Sequence, residues 1–129
     1  MRCGGDEIMS KTILSVDDSA SMRQMVRLAL TGAGYNVIEA CDGRDGLAKA
    51  KAGGIHMVLT DLNMPNMDGL TMIRELRALS AFKGVPIIFL TTESDDAKKS
   101  EARTAGATAW IVKPFQESQL LGVVKKVLG

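Results

Sequence analysis

Five short apolar runs, each followed by a segment of helical period, restrict this chain more than any other feature. The runs are Thr12–Val16, 35–40, Met57–Thr60, 85–90 and Ala109–Val112, largely β-branched or aliphatic and bounded by turn residues. Near-continuous apolarity suits strands covered on both faces, as in a parallel sheet. The intervening segments repeat at three and four. Met22, Met25, Val26, Ala29, Leu30 and Ala33 make one apolar face; Leu70, Ile73, Leu76 and Leu79 a second; Leu120, Leu121, Val124, Val127 and Leu128 a third. Helices are also predicted at 43–52, which is alanine-rich, and at 95–105, where only Ala97, Ala102 and Ala105 are there to bury. Ser19 or Asp18 suits the N-cap of the first helix and Gly34 its stop. Strict alternation with right-handed crossovers gives an α/β fold: a flavodoxin-like (βα)5 doubly wound, five-stranded parallel sheet. Its expected strand order is 2-1-3-4-5, in three α/β/α layers.

At 129 residues the chain suits one compact domain with a sizeable core. That domain is expected over 11–129, with 1–10 a disordered tail and no output domain attached. A net charge of +1 gives no electrostatic case for nucleic acid or an anionic membrane. No apolar run is long enough to span a bilayer, and the first residues lack the basic start and apolar core of a secretory signal. The expected location is the cytoplasm. Two cysteines, Cys3 and Cys41, make no disulfide framework. Cys41 reads as a small semi-buried residue, Ser15 as a small hydrogen-bonded core residue, and Met22, Met25, Met57 and Met72 as core. The single histidine, His56, begins a strand and is a poor candidate ligand.

The polar residues at the carboxyl ends of the runs carry the chemistry. Asp17 and Asp18 follow the first, Asp61 the third, Thr91 ends the fourth and Lys113 follows the fifth. In open α/β sheets ligands bind at that edge, where strand order reverses. Strands one and three flank the reversal, so three carboxylates converge. Two carboxylates about 5 Å apart repel by about 3 kcal/mol at an effective dielectric near 20. A divalent cation removes that penalty, and an all-oxygen donor set selects Mg2+ or Mn2+ over zinc. A lysine and a hydroxyl beside such a site suit a tetrahedral dianion: Lys113 to neutralise one phosphoryl oxygen, Thr91 to bond another, and Asp61 to act as nucleophile. Capping alone explains an isolated Asp18, and solvation an isolated Lys113. The five strand ends together are what these bland readings do not produce.

These residues sit in VDDS at 16–19, TDLNMPNMDG at 60–69, LTTE at 90–93 and KPF at 113–115. In this set and order, spread from about Lys11 to the end of the chain, the sequence resembles the response regulator receiver family, most closely its CheY-like chemotaxis branch. The resemblance implies that Asp61 is the phosphoacceptor. It implies Mg2+ bound by Asp18 and Asp61 directly, by Asp17 through water, and by the backbone carbonyl of Asn63. Thr91 would be the switch hydroxyl, Lys113 the phosphoryl-binding lysine, and the Lys113–Pro114 bond cis. Trp110 falls at the family's switch position, usually tyrosine; an indole is larger and has one donor, its N–H. A packed strand aromatic is the competing reading. Asn63 and Glu93 would flank the hydrolytic water and tune dephosphorylation.

The function implied is a monomeric phosphoacceptor switch of a two-component chemotaxis system. It would catalyse only its own phosphorylation and dephosphorylation. Its partners would be a CheA-like histidine kinase, a target such as a flagellar motor switch protein, and a phosphatase. The face at 95–105, 109–112 and 116–127 would change shape. The alternative is a phosphate sink or phosphotransfer intermediate in a relay. A phosphohydrolase using aspartyl phosphate would carry its nucleophile as DxD on the first strand under a cap, against the motif here. A flavin carrier is disfavoured because Asp17 and Asp18 would repel the flavin phosphate.

Overall fold

The structure is a computed structural model that describes residues 11–128. The tail reading for 1–10, and Cys3 with it, falls outside those residues. Five parallel strands run β1 Thr12–Val16, β2 Asn36–Ala40, β3 Met57–Thr60, β4 Ile87–Thr91 and β5 Ala109–Val112, in the order β2-β1-β3-β4-β5. The helices are α1 Ala20–Gly32, α2 Gly43–Lys51, α3 Gly69–Arg77, α4 Asp96–Ala105 and α5 Glu117–Leu128. The doubly wound fold and its strand order are those the alternation predicts.

Successive residues of each strand feed opposite layers. Leu14, Val16, Val58, Ile87 and Phe89 meet Ala50, Met72, Ile73, Leu76 and Ala102 from α2, α3 and α4. Ile13, Met57, Leu59, Ile88, Leu90 and Ile111 meet Val26, Ala29, Leu30, Leu120 and Val124 from α1 and α5. Each strand is thus apolar on both faces because each face has its own helix layer.

The differences from the sequence reading have local causes. β2 starts at Asn36 because the Tyr35 N–H closes the end of α1 on the Leu30 carbonyl, after Gly34 turns the chain at φ +99°. β4 starts at Ile87 because Pro86 has no N–H for the ladder, although its carbonyl accepts from Val58. α3 ends at Arg77; Leu79 instead begins a single 3-10 turn, Ser80–Phe82, that the periodicity does not reveal. Met25 is 47% exposed rather than core, and Ala97 and Cys41 are exposed. Ser15, Met57 and Met72 are buried.

Register places the site. Val16 lies abreast of Thr60, and the Asp61 N–H continues that ladder to the Val16 carbonyl at 3.0 Å. Asp17 and Asp61 therefore leave adjacent strands side by side.

Candidate functional site

Ser19 decides what the two aspartates after β1 are free to do. Its hydroxyl caps α1 by accepting from the Met22 N–H at 3.3 Å, so neither carboxylate is spent as the cap. Asp17 is buried; one oxygen accepts the Ser19 N–H at 2.9 Å, and the other faces Lys113. Asp18 is exposed beside it. Asp61 is half-buried, with one oxygen held by the Leu62 N–H at 2.7 Å. One carboxylate oxygen from each of Asp17, Asp18 and Asp61 lies within 4.8 Å of the other two.

Lys113 is not a solvated surface lysine. Its side chain is 10% exposed, and Nζ lies 2.8 Å from Asp17 Oδ2 and 3.3 Å from Asp61 Oδ2. β5 delivers it there: the Lys113 N–H bonds the Thr91 carbonyl at 2.8 Å, and the Lys113–Pro114 bond is cis, as expected. Three carboxylates thus face one ammonium. The remaining negative charge and the all-oxygen donors fit a hard divalent cation. His56 does not compete; it is exposed, and its Nδ1 accepts the Thr12 N–H at 3.0 Å.

Thr91 is fully buried, and its Oγ1 accepts the Glu93 N–H at 3.2 Å. The Glu93 carbonyl in turn accepts the indole N–H of Trp110 at 2.9 Å. Trp110 is half-buried and packs obliquely on Phe89, with ring centroids 5.3 Å apart. Trp110 is thus packed on a core aromatic and hydrogen-bonded to the loop that leaves the site. The Glu93 carboxylate accepts the Asp95 N–H at 3.1 Å, at the start of α4. Asn63 is exposed in the loop after β3, one residue beyond the Leu62 N–H that holds Asp61.

Apart from Gly69, which ends the 60–69 motif as a turn residue, several supporting residues carry no sequence signal of their own. Gly69 opens α3, and a Cβ there would stand 2.2 Å from the Asp61 carbonyl oxygen. Only glycine lets α3 start so close to the acidic residue. Asp42 caps α2 through the Asp45 N–H at 2.8 Å and takes the Asn66 side-chain amide at 2.7 Å. Those two bonds hold its carboxyl below the usual carboxylate range. Asn66 sits at φ +68°, in the left-handed region that asparagine tolerates. The Gly43 N–H bonds the Met67 carbonyl at 3.0 Å, so α2 grips the loop between Asp61 and α3 at two points. The NMPNMDG stretch marks a turn, but not that Asp42 would hold it. Arg23 reaches from α1 to the Asp17 carbonyl at 2.5 Å. At the sequence level it reads only as a polar-face residue of an amphipathic helix.

The profile of the response regulator receiver domain matches residues 13–125. Chemotaxis protein CheY1 of Helicobacter pylori is 41% identical over 119 residues, which cover 91% of this chain and 96% of that protein. Chemotaxis protein CheY-3 of Vibrio cholerae is 37% identical, covering 89% of each chain. Among solved structures, the chemotaxis response regulator CheY4 of Vibrio cholerae superposes with a TM-score of 0.89 at 44% identity, over 93% of this chain and 100% of that one. With its doubly wound sheet and acidic edge, the chain belongs to the response regulator receiver domain family, among CheY-like relatives.

Proposed function

We propose that this protein is a chemotaxis switch that accepts a phosphoryl group on Asp61 from a histidine kinase. The observation that carries the reading is the convergence of Asp17, Asp18 and Asp61 within 4.8 Å, with the Lys113 ammonium lying across Asp17 and Asp61. Receiver domains bind Mg2+ at such an acidic cluster. Here Asp17, Asp18, Asp61 and the Asn63 carbonyl would hold it, with Mn2+ an acceptable substitute. When bound, the cation neutralises charge that builds on the phosphoryl oxygens.

The chain's own groups supply the rest. An Asp61 carboxylate oxygen forms the new bond to phosphorus as the bond from phosphorus to the kinase imidazole nitrogen breaks. The imidazole keeps that electron pair and takes up a proton. Lys113 already spans two carboxylates, so a small shift brings it onto a phosphoryl oxygen. The Thr91 hydroxyl accepts from Glu93, which leaves its own proton free to donate to another. Drawing Thr91 inward pulls on the Glu93 peptide, and through its carbonyl on the Trp110 indole. The result is a population shift in the face made by α4, β5 and α5, which binds the target. A flagellar motor switch protein fits that role. Asn63 and Glu93 tune the attack of water that resets the switch, with or without a phosphatase. A cytoplasmic monomer suits that role. Among the described residues no helix is long and apolar enough to cross a membrane.

Incubation with acetyl phosphate and Mg2+, read by intact mass, tests the phosphoacceptor. The wild type gains one phosphoryl group, lost with EDTA, and Asp61→Asn gains none. Equal labelling of Asp61→Asn overturns the assignment. Beryllofluoride, a phosphoryl mimic, tests the switch: 15N shifts extend to α4, β5 and α5. Shifts confined to the acidic pocket contradict it.

A further inference from the structure

Arg23 is the one long cation of α1 that turns back on the acidic edge. Its Nη1 donates to the Asp17 carbonyl at 2.5 Å, while Nε lies 3.5 Å from Glu39 Oε1. Glu39 stands on β2 abreast of Ser15, and its second oxygen takes Arg27 Nη1 at 2.7 Å. The Asp17 N–H bonds the Ala40 carbonyl at 3.1 Å, so β2 holds both ends of this peptide segment: directly at the N–H and through Glu39 and Arg23 at the carbonyl. The Arg23 side chain is 20% exposed, and α1 fixes its stem. A guanidinium held by a carboxylate on one edge keeps its remaining N–H groups aimed, which a free lysine does not.

We propose that Arg23 is a positioning residue for cation binding. It locks the Asp17 peptide, and with it the directions in which the Asp17 and Asp18 carboxylates leave the chain toward Asp61. The inference rests on the cation site proposed above and adds a residue outside the carboxylate set. Groups that orient metal ligands without touching the metal change affinity by about 10–100-fold when removed.

The sign of the effect separates positioning from charge. Removing a positive group beside a cation site strengthens cation binding through simple electrostatics. Loss of positioning weakens it. Isothermal titration of the folded protein with MgCl2 alone, with thermal melts as a fold control, reads the outcome. Arg23→Gln is expected to bind Mg2+ about 10-fold more weakly while remaining folded. Arg23→Lys, which can reach the carbonyl but not Glu39 at the same time, is expected to recover part of the loss. Arg27→Gln, which shares Glu39 but not the Asp17 carbonyl, is expected to match the wild type. Unchanged or tighter binding by Arg23→Gln overturns the inference, as does an equal loss in Arg27→Gln. Failure of the wild type itself to bind Mg2+ overturns the site and not merely the role of Arg23.

Discussion

At the residue scale, the proposed switch gives Thr91 the step between receiving the phosphoryl group and passing the change on. Its side chain is fully buried, and its hydroxyl accepts the Glu93 N–H. Thr91→Ala is expected to accept phosphoryl from acetyl phosphate, because Asp61 and Lys113 remain. Phosphorylation of the wild type is expected to change Trp110 fluorescence, and Thr91→Ala is expected to abolish that change. Retention of the full fluorescence change would show that the indole moves by another route. Arg77 makes a structural counterpart far from the chemistry. Its guanidinium donates to the carbonyls of Gly106, Phe82 and Val85, joining the end of α3 to the end of α4, the 3-10 turn and the approach to β4. Burial lowers its affinity for a proton, yet it remains charged at any working pH. Arg77→Ala strands three carbonyls and is expected to cost about 2–3 kcal/mol in urea unfolding. Gly106→Ala acts on the same contact, because a Cβ there meets Arg77 Nε at 2.8 Å from a backbone at φ +114°.

Residues were legible to the extent that their chemistry was tied to a strand end. Asp17, Asp18, Asp61, Thr91 and Lys113 all fall there, because parallel strands deliver consecutive carboxyl ends to one edge. Arg23, Asp42 and Asn66 were not legible, because their roles depend on contacts between segments distant in sequence. A capping aspartate looks the same whether its second oxygen meets water or an amide 24 positions away. Met25 lies on the periodic stripe yet is exposed, because the stripe is wider than the face that α1 buries.

At the scale of elements, α2 and α4 behave differently. α2 is clamped: Gly43 bonds Met67, and Gly46 lets Val16 and Met72 approach within 3.0 Å of where a side chain would begin. The Asp42 tie carries a pH signature. Its folded carboxyl is held below the ordinary carboxylate range, so its stabilisation is complete above that range. It is lost as pH falls through the lowered folded value. Urea midpoints of the wild type and Asp42→Asn are therefore expected to differ at neutral pH and converge on acidification below the ordinary carboxylate range. A gap that widens in acid would contradict the assignment. α4 buries only Ala102; it is tied to α3 by the exposed Arg74–Glu101 pair and, at its C-terminal end, by Arg77 on the Gly106 carbonyl. Exposed pairs add little, and low burial makes local opening cheap. Among the five helices, α4 is expected to show the fastest amide hydrogen exchange away from the termini. Protection equal to that of α3 would remove it as the movable part of the switch.

For the whole molecule, fold and chemistry are coupled through register. Alternating apolar runs were enough to give the doubly wound sheet, because two helix layers leave few other ways to bury strands that are apolar on both faces. The boundaries that shifted did so at Pro86, at Gly34 and at the 3-10 turn, where hydrogen bonding rather than apolarity sets the limit. The same register that pairs Val16 with Thr60 sets Asp17 beside Asp61 and makes an acidic edge that Lys113 alone does not neutralise.

The most direct test of that coupling locates the phosphoryl group in the chain. An acyl phosphate on aspartate is reduced by borohydride to homoserine, which tandem mass spectrometry places to the residue. After reaction with acetyl phosphate and Mg2+, homoserine is predicted at position 61. Homoserine at position 17 or 18, or none anywhere, would contradict the account.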